Sequence, residues 1–172
     1  KFCEYIGAKY AFALNNATAG LELAAQLCQF KPDDEVIIPG HTFTASAYPF
    51  LKKGARIVWA DIDLATRVVT AEMIERCITP KTKAIVVVHL YGYGADMPTI
   101  MELAKKYHLL VVEDTAQALG VKIEGQMAGT FGDFGVFSFH SHKNITTLGE
   151  GGMLVVNDDE CSDLIPLLRH NG

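Results

Sequence analysis

The chain has 172 residues, 49% of them hydrophobic, with a formal net charge of −5 and a mean hydropathy of +0.18. This is the composition of one globular domain with a substantial core, and without a basic cluster it offers nothing to nucleic acid or to an anionic membrane surface. No apolar run reaches the roughly 20 residues of a spanning helix, and the opening KFCEYIGAKY lacks the long apolar segment of a secretory leader, so a soluble, cytoplasmic protein is expected.

In chain order, apolar periodicity alternates between strand and helix. The pattern predicts a strand over 10–14, a helix over 18–29, a short strand over 35–38 and a helix over 43–53. It continues with a strand over 56–60 ending at Asp61, a helix over 71–77 and a nearly all-apolar strand over 83–88. A helix over 98–107, led by Asp96 and Pro98, precedes a buried strand over 109–112. Short strands over 135–139 and 153–156 and a final helix over 158–169 complete the pattern. Strands that are apolar throughout and separated by helices predict an α/β fold with a largely parallel sheet covered on both faces. Cys3, Cys28, Cys77 and Cys161 are too scattered for a zinc ribbon or a CxxC pair and suit reduced thiols.

In such a sheet a ligand sits beyond the carboxyl ends of the strands. The segments there are 15–18, 40–43, 61–63, 89–94, 114–117 and 138–143. The turn NNAT offers free N–H groups at a helix start with the Thr18 hydroxyl as cap, which suits either an anion or an ordinary N-cap. Asp114, at the tip of LLVVE, is either a helix cap or the partner of a cation, and Glu113 beside it faces the opposite way. Lys143 follows the strand GVFSF and precedes a glycine-rich stretch, Gly149, Gly151 and Gly152. It reads as a surface lysine or as a desolvated, nucleophilic amine able to form a Schiff base. His140 and His142 form an HxH pattern for which metal is the weaker explanation, no third ligand being evident. Gly92 and Gly94 lack the third glycine of a dinucleotide fingerprint.

The run SFHSHKNITTLGEGG resembles the cofactor-lysine segment of the DegT/DnrJ/StrS family of nucleotide-sugar aminotransferases, pyridoxal phosphate enzymes of fold type I in the aspartate aminotransferase superfamily. NNATAGLELA, PGHTFTASAYPFLKKGARIVWADID, VVVHLYGYGADM and LLVVEDTAQALGVKIEGQMAGTFGDFGVFSFH are similar to further family blocks in the family's order. The resemblance covers essentially the whole chain. It implies a three-layer αβα large domain with a mostly parallel mixed sheet over 1–172, apparently incomplete, with the C-terminal small domain absent. The cofactor it implies is pyridoxal 5′-phosphate, held on Lys143 as a covalent aldimine.

Further roles come from the same resemblance. Ala17 and Thr18 match the phosphate-binding turn, although the family usually has Ser or Gly and then Gly, Thr, Ala where this chain has Asn16 and Ala17. Ser138 matches a phosphate-binding serine, and Phe43 an aromatic residue stacked on the cofactor ring. Asp114 matches the partner of the protonated ring nitrogen, which makes the ring an electron sink, and Gln117 lies near the phenolic oxygen. Lys143 would also carry the proton between the α-carbon and the cofactor. The implied reaction moves an amino group from an amino acid, usually glutamate, to a keto group of a nucleotide-linked sugar. It would serve amino-sugar biosynthesis for a surface polysaccharide, a glycan or an antibiotic sugar, in a homodimer whose active site lies at the interface. Relatives that remove a sugar hydroxyl carry histidine at the lysine position, so Lys143 favours the aminotransferase over a dehydratase. A non-catalytic remnant is the third alternative.

Overall fold

The computed structural model describes residues 1–169. In chain order the elements are helix α1 (Phe2–Ile6), strand β1 (Tyr10–Leu14), helix α2 (Ala17–Leu27), β2 (Glu35–Pro39), α3 (Tyr48–Lys52), β3 (Arg56–Ala60), α4 (Ala71–Glu75) and β4 (Thr82–Val88). They continue with α5 (Met97–Tyr107), β5 (Leu110–Asp114), β6 (Lys122–Ile123), β7 (Gln126–Met127), β8 (Phe134–Ser138), β9 (Gly152–Val156) and α6 (Asp159–Arg169). Seven strands form one sheet in the order β1-β9-β8-β5-β4-β2-β3, and β6 and β7 form a separate hairpin. The pairs β2–β3, β2–β4, β4–β5 and β5–β8 are parallel, whereas β9 runs against both β1 and β8.

The sheet is covered on both faces because its central strands are apolar on both. Every residue of β2 and of β8 is buried. Along β8 the alternation separates the two layers: Val136 meets α2 at Gly20, where an added Cβ would lie 2.9 Å from Val136 Cγ1. Phe137 points the other way and packs edge-on against Phe2 of α1, ring centroids 5.4 Å apart. The larger core lies around β2, β4 and β5, and a smaller cluster of Ile6, Phe137 and Val155 lies under α1. The architecture is the largely parallel sheet with flanking helices that the alternation predicts, mixed through β9 as the family resemblance implies.

Two local expectations are corrected. The helix over 43–53 is broken: Phe43 is extended, Thr44–Ser46 is a 3-10 turn, and α3 restarts at Tyr48. Pro49 explains the break, since inside a continuous helix it would lack an N–H and clash with the preceding turn, but it is tolerated in the first turn of α3. Helix α2 begins at Ala17, and Asn16, not Thr18, is its cap, with Asn16 Oδ1 accepting the Ala19 N–H at 2.9 Å. The β6–β7 hairpin is carried by Glu124 and Gly125, both at positive φ, a turn that the KIEGQM sequence signals through its glycine. All four cysteines are free. Burial pushes the Cys28 thiol up to about 12, which leaves it an inert core group. Among the described residues no helix is long and apolar enough to cross a membrane.

Candidate active site

The carboxyl ends of β4, β5 and β8 and the start of α2 surround a cleft of about 450 Å³. Ala17, Thr18, Phe43, Asp114, Gln117, Ser138 and Lys143 all border it. The fold brings them together because parallel strands end on the same edge of the sheet and the following turns gather there.

One end of the cleft gathers free hydrogen-bond donors. The first N–H groups of a helix have no intrahelical acceptor, and Asn16 occupies only that of Ala19. Ala17 and Thr18 therefore keep donors at the positive end of the eleven-residue α2. Ser138 closes this end from β8, its hydroxyl accepting a long bond from His140 N–H at 3.4 Å. Gly152, paired with Ser138 across β8 and β9, lets the helix start come this close, because a Cβ there would fall 2.3 Å from the Asn16 carbonyl carbon.

The floor is a buried carboxylate. Asp114 is 6% exposed and accepts from the Ser46 hydroxyl at 2.6 Å and from Ala116 N–H at 3.1 Å. Ser46 gives its one proton to Asp114, so at 2.7 Å it accepts from Thr42. No cation pairs with Asp114 among the described residues. A buried carboxylate held only by neutral donors suits a cationic ligand group above it. Sequence reasoning missed Ser46, whose signal would have been a hydroxyl inside the apolar run TASAYPF.

Phe43 stands at the mouth, 70% exposed, with its ring free to cover a flat ligand. Lys143 is half-buried in the turn after β8 and makes no ion pair among the described residues. It lies five residues past Ser138, in a turn where Ser141, His142 and Asn144 are exposed. His140 accepts His142 N–H through Nδ1 at 3.2 Å and faces Glu150 through Nε2 at 3.3 Å, so both its nitrogens are engaged. Glu113 faces away from Asp114, as strand alternation requires, and bonds to His89 and the 129–132 segment.

A helix start with free N–H donors, a carboxylate and a lysine without ion-pair partners among the described residues, and an exposed aromatic ring, gathered at one edge of a mostly parallel α/β sheet, fit the fold type I class of pyridoxal phosphate enzymes. The chain belongs to the DegT/DnrJ/EryC1/StrS aminotransferase family, which matches residues 1–172. It is 46% identical over 171 residues to GDP-perosamine synthase of Caulobacter vibrioides, covering 99% of this chain and 46% of that protein. The structure of DesV from S. venezuelae in complex with a ketimine intermediate superposes with a TM-score of 0.94 at 36% identity, over 99% of this chain and 46% of that one. GDP-4-keto-6-deoxy-D-mannose-3-dehydratase from E. coli, solved with bound hydrated PLP, also gives 0.94, at 28% identity and with 99% and 45% covered. The chain spans about half the length of the curated relatives it matches.

Proposed function

We propose that residues 1–172 act as the cofactor-binding large domain of a pyridoxal phosphate-dependent aminotransferase. The enzyme would transfer an amino group from an amino acid, L-glutamate, to a keto group of a nucleotide-linked sugar in amino-sugar biosynthesis. The observation that carries this reading is the convergence on one cleft of the α2 start, Ser138, Asp114, Phe43 and Lys143.

The donor set fits the cofactor. Ala17 and Thr18 N–H with the Ser138 hydroxyl would hold its phosphate, the uncompensated Asp114 its ring nitrogen, Gln117 its phenolic oxygen, and Phe43 would cover the ring. Bound there, pyridoxal phosphate supplies an aldehyde that condenses with amines and a ring that takes up the electrons left by a departing α-proton. Lys143 Nζ serves as the amine that anchors the cofactor and then as the base that carries the substrate's α-proton. Ser46 and Thr42 hold Asp114 in place, and Phe43 keeps water from one side of the cleft.

The apolar rim supports a homodimer in which a second copy completes the cleft: Phe43, Tyr91, Tyr93, Ile145 and Leu148 are all exposed. Lys143, where hydroxyl-removing relatives carry histidine, favours amino transfer over dehydration. The four free cysteines support a reducing, cytoplasmic location.

The test is an absorbance titration of the chain with pyridoxal phosphate, followed by glutamate, beside Lys143→Ala. A visible band that depends on Lys143 and is bleached by glutamate is the expected result. A folded wild-type chain with no such band refutes the assignment and leaves a non-catalytic remnant.

A further inference from the structure

Behind the cleft lies a polar network to which no role has been given. Glu113 and His89 are fully buried, and Glu113 projects from the face of the sheet opposite Asp114. Phe131 and Gly132 N–H donate to Glu113 Oε1 at 2.7 Å each, Gly129 N–H donates to Oε2 at 2.7 Å, and His89 Nε2 lies 3.0 Å from the same oxygen. His89 Nδ1 accepts the Ala95 N–H at 3.2 Å, so the ring proton sits on Nε2 and points at Glu113. His89 N–H donates to the Asp114 carbonyl at 3.1 Å. The histidine thereby closes residues 89–95 into a loop and ties it to β5.

Tyr91 sits within that loop in left-handed backbone, φ 55° and ψ 24°. For a residue with a Cβ this backbone is strained. Its side chain is 63% exposed and meets only His41 among aromatic rings, edge-on at 5.9 Å, so burial does not impose the conformation. The conformation aims Tyr91 N–H at Gln117 Oε1, 3.1 Å away. With the oxygen so engaged, Gln117 keeps its NH₂ group for the cleft. Backbone strain of this kind persists only where the surroundings over-determine it.

We propose that Glu113 and His89 are positioning residues: they hold the 89–95 loop closed, the loop holds Tyr91 left-handed, and Tyr91 turns Gln117 so that it offers the ligand a donor. The site facing Gln117 is thus matched to an oxygen acceptor. That last step rests on the cofactor reading above, whereas the loop clamp does not.

The experiment uses the whole chain and Glu113→Gln, which keeps the volume but turns one acceptor oxygen into a donor facing donors. Amide hydrogen exchange without cofactor is expected to rise at least tenfold at Tyr91 and Ala95 and to stay unchanged at Val86 and Val112 in the sheet. Pyridoxal phosphate affinity is expected to fall about tenfold. Adding Tyr91→Asn, a residue tolerant of left-handed backbone, is expected to restore most of that affinity. If Glu113→Gln does not fold, His89→Gln makes the same comparison. Unchanged exchange at Tyr91, equal acceleration at all four amides or, where the wild-type chain binds pyridoxal phosphate, no rescue by Tyr91→Asn overturns the proposal. A clamp that behaves as expected in a wild-type chain that never binds pyridoxal phosphate would overturn the cofactor reading and the ligand step alone.

Discussion

Gly152→Ala is expected to disable the anion end of the cleft while leaving the sheet folded. Gly152 pairs with Leu14 on one side and Ser138 on the other, directly beneath the start of α2. An added Cβ would lie 2.3 Å from Asn16 C, 2.5 Å from Asn16 O and 2.7 Å from Ala17 N. All three are backbone atoms, so no rotamer change relieves the contact, and reaching an ordinary separation of about 3.5 Å requires the helix start to withdraw by about 1 Å. Overpacking of this size costs about 1–3 kcal/mol, and each kcal/mol lowers Tm by about 2–4 °C in a chain of this length. The withdrawal also takes the Ala17 and Thr18 donors away from Ser138. Two hydrogen bonds to a charged group at about 1.5 kcal/mol each correspond to about a hundredfold in affinity. The assay is a pyridoxal phosphate titration paired with a thermal melt. Gly149→Ala is the control, since a Cβ there meets nothing within 4 Å. Wild-type affinity in Gly152→Ala, or an equal loss in Gly149→Ala, would refute the reasoning.

Thr115→Val should raise stability by about 1 kcal/mol, because the buried Thr115 hydroxyl has no hydrogen-bond partner among the described residues and its removal relieves a desolvation penalty. A lower Tm would mean that the hydroxyl has a partner in solution. Asp159→Asn tests the tie between α6 and β1, where Lys9 and Tyr10 both bond to the carboxylate and hold its pKa below the usual range. A lowered folded value means that the contribution is present above the unfolded pKa and is lost as pH falls through the folded one. The gap in urea midpoint between wild type and variant should therefore be open at pH 7, narrow as the pH falls below the ordinary carboxylate value, and shrink in high salt. A gap independent of pH would sink the assignment.

The parallel sheet was legible because its central strands, such as VIIP and AIVVV, are apolar without alternation, a pattern that only two-sided burial explains. Asp114 stood out because it follows the buried strand LLVVE, whereas Ser138 was singled out only through the family resemblance. What the sequence concealed depends on contacts between distant segments. Ser46 reaches Asp114 across 68 positions, and nothing local to TASAYPF says which acceptor its hydroxyl meets. The early helix failed on a local rule, since Pro49 within 43–53 should have ended it. Asn16 as the α2 cap was also readable, asparagine outranking threonine there. Gly152 stood out only as part of a glycine-rich stretch, and nothing local shows that its missing side chain makes room for the start of α2.

Glu113 and Asp114 show how one strand end can serve two purposes. Adjacent residues of β5 project to opposite faces, so two carboxylates stand back to back without sharing a partner. Among the described residues Asp114 meets only the neutral donors Ser46 and Ala116 N–H, and it lines the cleft. Glu113 meets three backbone N–H groups and His89, and uses its charge to fix the loops that frame the same cleft. Exchanging the two roles would leave the loops without an anchor and the cleft without a counter-charge. On the roles proposed above, the order Glu-Asp, and not merely the presence of two acids, is what the site requires. The double substitution Glu113→Asp with Asp114→Glu keeps the net charge, yet it draws the anchor back from its three N–H donors and pushes the counter-charge further into the cleft. Matching side-chain reach to each face, rather than charge alone, is what lets the two neighbours divide the work.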